Sequence, residues 1–444
     1  MTERPLRSAP APPVPRAELA ARYSAVRRAT EALVAPLSAE DAALQSMPDA
    51  SPAKWHLAHT SWFFETFVLR PSLPGYTVLD PAYERLFNSY YLGIGNPHPR
   101  ARRGLLSRPS LDQVYAYRRH VDAATERLLG AELAPGLAEL VELGLQHEQQ
   151  HQELVLTDVK HLLSCHPGRP AYRPGARPHP VSPPAARREA AGPAGRGAVP
   201  ALAWHPHPGG IVRIGAGEEG FAFDNERPRH RRWLEPFALA TRLVTNGEWR
   251  AFVEDGGYAR PELWLSDGWN TVRAEGWSAP LYWERDGDGW LEFGLSGLEP
   301  LEDDAPVCHV SGYEADAYAR WAGARLPGED EWEVVAHGVP VAGNLAPGEA
   351  PHPRPLAAAP DGAPAQLWGD VWEWTRSAYA PYPGYAPPPG PVGEYNGKFM
   401  SGQLVLRGGS CATPADHVRA SYRNFFPPAA RWQFTGVRLA KDLR

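Results

Sequence analysis

The chain has 444 residues, enough for two or three domains that each bury a core. Hydrophobic residues make up 43% and charged residues 22%, which places it among globular proteins, and a net charge of −6 argues against a broad nucleic-acid surface. No apolar run approaches the roughly 20 residues that a membrane helix needs. The opening MTERPLRSAPAPPVP lacks an apolar signal core, and Cys165, Cys308 and Cys411 cannot make a disulfide framework, so a cytoplasmic protein is expected.

In chain order, residues 1–16 are Pro-rich and read as a disordered tail. Residues 17–165 carry Leu, Ala, Glu and Arg at helical spacing, with main helices predicted over about 17–36, 51–69, 110–129 and 135–164. Ser51 followed by Pro52 predicts a helix start with Ser as the cap, and Ser110 is the predicted cap of the third helix. Four amphipathic helices suggest a four-helix bundle. The connection 70–109 is too long for a bare turn, and loops of that length are often functional. Residues 166–200 read as a Pro/Arg/Gly-rich linker. From 201 onward short strands alternate with Gly, Pro and Asp turns, Trp is dense, and one helix is clear from Ser311 through Ala322. Trp321, Trp372 and Trp374 are expected in the core of that half, and Cys411 as a small buried residue. The oxygen-rich Asp224-Asn225-Glu226 could suit a structural calcium, though such turns are common.

The strongest local signal is His147-Glu148-Gln149-Gln150-His151 on the last bundle helix. Histidines at i and i+4 share one face, so both imidazoles can reach one metal. The same letters match the H-E-x-x-H motif of zinc peptidases, in which the glutamate is the general base. Gln149 and Gln150 weaken that reading, because the peptidase motif normally lies in an apolar helix. A third ligand is available in Lys54-Trp55-His56-Leu57-Ala58-His59-Thr60 on the second helix. His56 and His59 nearly share a face, and one of them is expected to be spare, capping or solvated. His59 lies beside Trp62, Phe63 and Phe67, the stripe that faces the bundle core. Three neutral imidazoles leave open coordination positions, which on Fe(II) can take O2 and a substrate and on Zn(II) a water.

Longer stretches go further: WHLAHTSWFFETF, NSYYLGIGNPHPRARRGLLSRP, HEQQHQELVLTDVKH, APVCHVSGYEADAYARWAGARLP, GDVWEWTRSAY and LRGGSCATPADHVRASYRNFFPPAARWQFTGVRLA. With these the chain resembles the hercynine sulfoxide synthases of ergothioneine biosynthesis, non-haem iron enzymes that form a carbon–sulfur bond using O2. The closely similar selenoneine synthases, which use a selenosugar to form a carbon–selenium bond, share the resemblance. It implies an α+β fold class: an N-terminal DinB-like four-helix bundle followed, over 201–444, by a domain like formylglycine-generating enzyme, of C-type-lectin-like fold. It implies Fe(II) held by His59, His147 and His151, with hercynine and O2 as substrates and no nucleic-acid or membrane partner.

The resemblance also assigns roles. One branch of the family takes its proton from a tyrosine late in the C-terminal domain, and GEYNGKFMSGQLVL is not assigned a counterpart of it here. The second branch uses a tyrosine pair on the long bundle loop, present as Tyr90 and Tyr91, and one of them is the expected donor. Gln150 matches a glutamine that contacts the hercynine imidazole. Arg103, and beside it Arg100, Arg419 and Arg423, are candidates for a substrate carboxylate, which arginine holds through paired hydrogen bonds. Asn424, Phe425 and Phe426 follow in the same run. Some relatives carry Trp-Asp where Phe425 and Phe426 stand, and that aspartate holds the amine of gamma-glutamylcysteine. An apolar ring cannot pair with an ammonium, so cysteine or a selenosugar is the expected second substrate.

Rival readings explain less. A DinB-like thiol transferase accounts for the bundle but not for the Trp-rich half. A formylglycine-generating enzyme needs a cysteine pair after RGGS, and Cys411 stands alone there. A lectin-like binding module leaves the three histidines without a purpose.

Overall fold

The first half of the chain folds as four main helices because its apolar residues recur largely at helical spacing. In the computed structural model, which describes residues 16–173, 199–346, 348, 351–358 and 362–443, these helices are α1 (Arg16–Val34), α2 (Ala53–Phe63), α3 (Leu111–Gly130) and α4 (Leu137–Ser164). The expected tail, apart from Arg16, and most of the expected linker (174–198) lie outside the described residues. Ser110 caps α3 as predicted: its Oγ accepts from the Gln113 backbone N–H at 3.3 Å, and Gln113 Oε1 accepts from the Ser110 N–H at 2.9 Å.

The start of α2 departs from expectation. Pro52 occupies the cap position and no side chain caps the helix. The Ser51 hydroxyl instead accepts from Arg103 Nη1 at 2.9 Å. Every residue from Ala53 to Phe63 is buried, so α2 has no solvent face to reveal its orientation. Beyond Phe63 the helix widens into a π-helical stretch, Phe64–Leu69, before a last turn at Arg70–Ser72. Such stretches are often found at functional sites.

Close approach of α4 to α2 depends on one glycine. A Cβ on Gly144 would stand 2.6 Å from the Phe64 ring and 3.0 Å from the Phe63 ring. Gly144→Ala is therefore expected to destabilise the fold by about 1–3 kcal/mol through overpacking. Equilibrium unfolding in urea checks this, and an unchanged midpoint would show that the rings can yield.

The described chain forms two compact units. The first holds Met1–Gln152, Arg213–Arg231 and Pro381–Lys398, and the second Glu153–Val212, Arg232–Ala380 and Phe399–Arg444. In the first unit the later segments are tied to the long bundle loop. The Glu394 carboxylate accepts from the backbone N–H groups of Leu92 and Gly93 at 3.0 and 2.8 Å, and Lys398 donates to the Tyr90 carbonyl.

In the second unit the strands are short. One antiparallel sheet sets Phe237–Ala240 between Trp204–His207 and Ala440–Asp442. A four-stranded sheet runs Asn424–Phe426, Leu404–Arg407, Trp372–Ala378 and Thr435–Gly436, its last pairing parallel and the others antiparallel. A meander of Trp283–Asp286, Gly289–Gly294 and Gly297–Pro300 forms a separate sheet. The predicted helix is Gly312–Trp321, capped by Ser311 in a box with Glu314. The core gathers Phe237, Leu239, Trp332, Trp368, Val418 and Ala440. Buried charge is paired: Arg438 Nε donates to Glu373 at 2.8 Å, and Trp332 Nε1 reaches the same carboxylate at 2.8 Å. Trp372 and Trp374 are buried as expected, while Trp321 is half-buried, with Nε1 on Asp255. The class is α+β, as the sequence indicates. Among the described residues no helix is long and apolar enough to cross a membrane.

Candidate metal centre

Helices α2 and α4 bring His59, His147 and His151 together, all buried, with one nitrogen of each within 4.8 Å of the others. His59 is fixed first. Its Nδ1 lies 2.6 Å from the Phe87 carbonyl, which can only accept, so Nδ1 carries the proton and Nε2 the lone pair. Its ring stacks with Trp55 at 4.5 Å and with Trp62 at 5.6 Å. Nε2 of His59 lies 3.2 Å from Nε2 of His147. Two nitrogens about 2.1 Å from one ion in neighbouring positions lie about 3 Å apart, so the spacing suits a shared cation. His147 Nδ1 is buried, with no hydrogen-bond partner among the described residues.

All three rings are held neutral, the form that ligates metal. Burial pushes His147 down to about 3, against the opposing pull of Glu148. Burial, reinforced by His147, holds His59 and His151 well below the usual imidazole value. His56 falls outside the three-histidine group, as expected for one of the pair, but it is not solvated. It is buried, and its Nδ1 lies 2.8 Å from Nδ1 of His151.

Glu148 turns away from the histidines into a charge cluster. Arg27 Nη1 donates to it at 2.9 Å, Thr30 Oγ1 at 2.7 Å, and Arg118 Nη2 donates to the same oxygen as Thr30. Burial alone would raise its pKa, but Arg118 and Arg27 bring it down to about 2. A carboxylate bound by two arginines is a poor general base, which removes the main support for a peptidase. Because the folded value is depressed, its contribution to stability is complete above the ordinary carboxylate value of about 4.3. It is expected to be lost as pH falls from there toward 2. Glu148→Gln is expected to cost about 3–5 kcal/mol by leaving Arg27 and Arg118 without their buried anion. Urea unfolding at neutral pH checks this, and a variant as stable as the wild type would show the cluster to be dispensable.

An aromatic wall stands beside the histidines. Tyr90 and Tyr91 stack at 4.7 Å, and Tyr91 packs on Trp62 at 5.6 Å. Asn88 shapes their loop, accepting from the Tyr91 N–H at 3.0 Å and donating to its carbonyl at 2.9 Å. Burial raises the pKa of both phenols, so both keep their protons at neutral pH. The sequence reading missed Tyr395. Its hydroxyl donates to Gln150 Oε1, its ring meets His147 edge-on at 5.5 Å, and Tyr90 lies 6.2 Å away. Only the GEYNGKF segment hinted at it, a lone tyrosine flanked by glycines. Arg103 is buried, its guanidinium 3.4 Å over the Trp55 ring, with Nη1 on Ser51 and Nη2 on Ser89 at 2.9 Å each. Arg100 is exposed and donates to the Asp49 carbonyl. Asp224 accepts from Tyr385 at 2.8 Å and Asn396 at 2.6 Å.

Comparison with known proteins agrees with this layout. The DinB superfamily matches residues 22–155, and the sulfatase-modifying factor enzyme 1-like domain matches residues 202–353 and 363–443. The hercynine oxygenase of Mycolicibacterium thermoresistibile is 36% identical over 460 residues, spanning 96% of this chain and 95% of its own. The chain belongs to the hercynine oxygenase family. A second hercynine oxygenase, from Mycolicibacterium smegmatis, is 36% identical over 432 residues, covering 90% of this chain and 93% of its own. The formylglycine-generating enzyme of Streptomyces coelicolor is 32% identical over 300 residues, covering 53% of this chain and 88% of its own.

Of the residues singled out in the sequence, His59, His147, His151, Gln150, Tyr90, Tyr91, Arg103 and Arg100 fall in the first unit of this hercynine oxygenase family member. Arg419, Arg423, Asn424, Phe425 and Phe426 fall in the second. There Arg423 is buried and donates to Glu329 at 2.8 and 2.9 Å. Arg419 donates to the His417 carbonyl at 3.0 Å and lies 5.0 Å over the Tyr422 ring. Asn424 Oδ1 accepts from the Phe425 N–H at 2.9 Å. Phe425 stacks on Tyr379 at 4.0 Å with Phe399 at 5.9 Å, and Phe426 meets Trp432 at 5.9 Å.

Proposed function

We propose that this chain is an Fe(II)-dependent, O2-using oxidoreductase that joins C2 of the hercynine imidazole to the sulfur of cysteine and delivers a sulfoxide. The observation that carries the reading is the convergence of three buried, neutral imidazoles in a chain that aligns with a hercynine oxygenase over 96% of its length. The balance is simple. The imidazole C2–H and the thiol S–H are lost, a C–S bond forms, one oxygen atom of O2 ends on sulfur and the other leaves as water.

His59, His147 and His151 would hold the iron, and a 3-His set leaves positions open for substrates. When bound, Fe(II) would supply the electrons that make O2 reactive and would accept a soft thiolate. The protein's own groups do the rest. The Phe87 carbonyl keeps the proton of His59 on Nδ1. The Tyr395 hydroxyl holds a proton at the Gln150 amide, beside His147, and is placed to give it up, with Tyr90 and Tyr91 stacked behind. Gln150 offers an uncharged amide to the hercynine imidazole. Arg103 is the candidate for the substrate carboxylate, with Arg100, Arg419 and Arg423 as further cations and Asn424 beside them. Phe425 and Phe426 offer apolar faces instead of a carboxylate, which favours cysteine over gamma-glutamylcysteine. In this reading the helical domain spans 17–165 and the later domain 201–444, joined by a linker at 166–200, and the enzyme works in the cytoplasm, where thiols stay reduced.

The test is the mass of the product after Fe(II)-loaded protein meets hercynine and O2 with cysteine and a selenosugar in competition. A hercynylcysteine sulfoxide supports the reading. A carbon–selenium product would transfer the chain to selenoneine synthesis, and no product with either donor would overturn the assigned second substrate.

A further inference from the structure

We infer that His56 is a positioning residue for the metal centre, setting the orientation and proton position of His151. The inference rests on the reading of His59, His147 and His151 as ligands. His56 lies on α2 one turn before His59 and is buried. Its Nδ1 is 2.8 Å from Nδ1 of His151, and the two rings are 5.0 Å apart at 56°. Two imidazole nitrogens at that distance share one proton. With the proton on His151, its Nδ1 donates to His56 and its Nε2 keeps a lone pair for the metal. With the proton on His56, the neutral His151 carries its own proton on Nε2 and cannot ligate. A cation at the three histidines therefore selects the first arrangement, and His56 stabilises it by accepting.

The same logic already operates at His59, whose Nδ1 donates to the Phe87 carbonyl. Ligand histidines are commonly held this way, by a partner on the nitrogen that faces away from the metal. An imidazole in that place is less usual than a carbonyl or carboxylate. It accepts without charge, so it fixes the ring without adding an anion to a fully buried site. Losing such a partner typically lowers metal affinity about 10–100-fold.

Co(II) binding to the full-length apoprotein tests this by calorimetry and by the visible absorption of the bound ion, with wild type, His56→Phe, His56→Asn and His147→Ala compared. The amide oxygen of Asn can stand near the position of Nδ1 and accept, whereas Phe cannot. His56→Phe should weaken Co(II) binding about 10–100-fold and alter its spectrum, and His56→Asn should restore most of the affinity. Co(II) bound equally by wild type and His147→Ala would defeat the metal-centre reading itself. Co(II) bound by wild type and His56→Phe with the same affinity and spectrum would overturn the role of His56 alone. Should His56→Phe fail to fold, the 15N shifts of the histidine rings in the metal-loaded wild type decide. A protonated Nδ1 on His151 supports the role, and an unprotonated one overturns it.

Discussion

His147→Ala is expected to abolish stoichiometric Fe(II) binding and, with it, all product formation. His147 adjoins both of the other histidines, with its Nε2 3.2 Å from Nε2 of His59 and its ring 4.6 Å from that of His151. Removing it leaves two imidazoles, a set too sparse to hold Fe(II) against its hydration. His59→Ala and His151→Ala are expected to behave alike. The fold should survive, because none of the three carries the buried charge network, which runs through Arg27, Arg118 and Glu148. Metal analysis of the purified variants, beside far-UV circular dichroism, reads both halves of the expectation. A folded variant that keeps a full complement of iron and full activity would refute the ligand set.

Tyr395→Phe should lower the rate of product formation about 10²–10⁴-fold while leaving Fe(II) affinity unchanged, the range set by a positioned proton donor. The hydroxyl is its only polar function, and the ring would still pack on Phe223 at 5.6 Å and against His147 at 5.5 Å. Tyr90→Phe and Tyr91→Phe should have smaller effects, because their loop is shaped by backbone bonds to Asn88 that do not involve the phenols. Single-turnover rates and the ratio of sulfoxide to uncoupled oxidation product separate the three. Should Tyr90→Phe or Tyr91→Phe abolish the reaction while Tyr395→Phe leaves it intact, the donor lies on the bundle loop.

Local pattern by itself determined much of this protein. The positions of the four bundle helices, the cap at Ser110 and the helix after Ser311 follow from spacing and from side chains that bond within three residues of themselves. The pairing of His147 with His151 follows from one turn of helix. What spacing could not decide was which way the side chains of α2 face, because all of Ala53–Phe63 is buried and periodicity no longer separates an inner face from an outer one. Whether His56 or His59 joins the three-histidine group, and what the other does, depended on which neighbours close around that helix. The role of Glu148 was decided the same way, by arginines on α1 and α3 that are 121 and 30 residues distant. Tyr395 reaches Gln150 across 245 residues, a contact made by chain closure that leaves no periodic trace in either segment. The sequence alone determined the pair of histidines, one helical turn apart, on which a metal centre could be built. The tertiary structure decided which side chains orient it and which hydroxyl stands beside it, because those contacts join segments that share no local pattern.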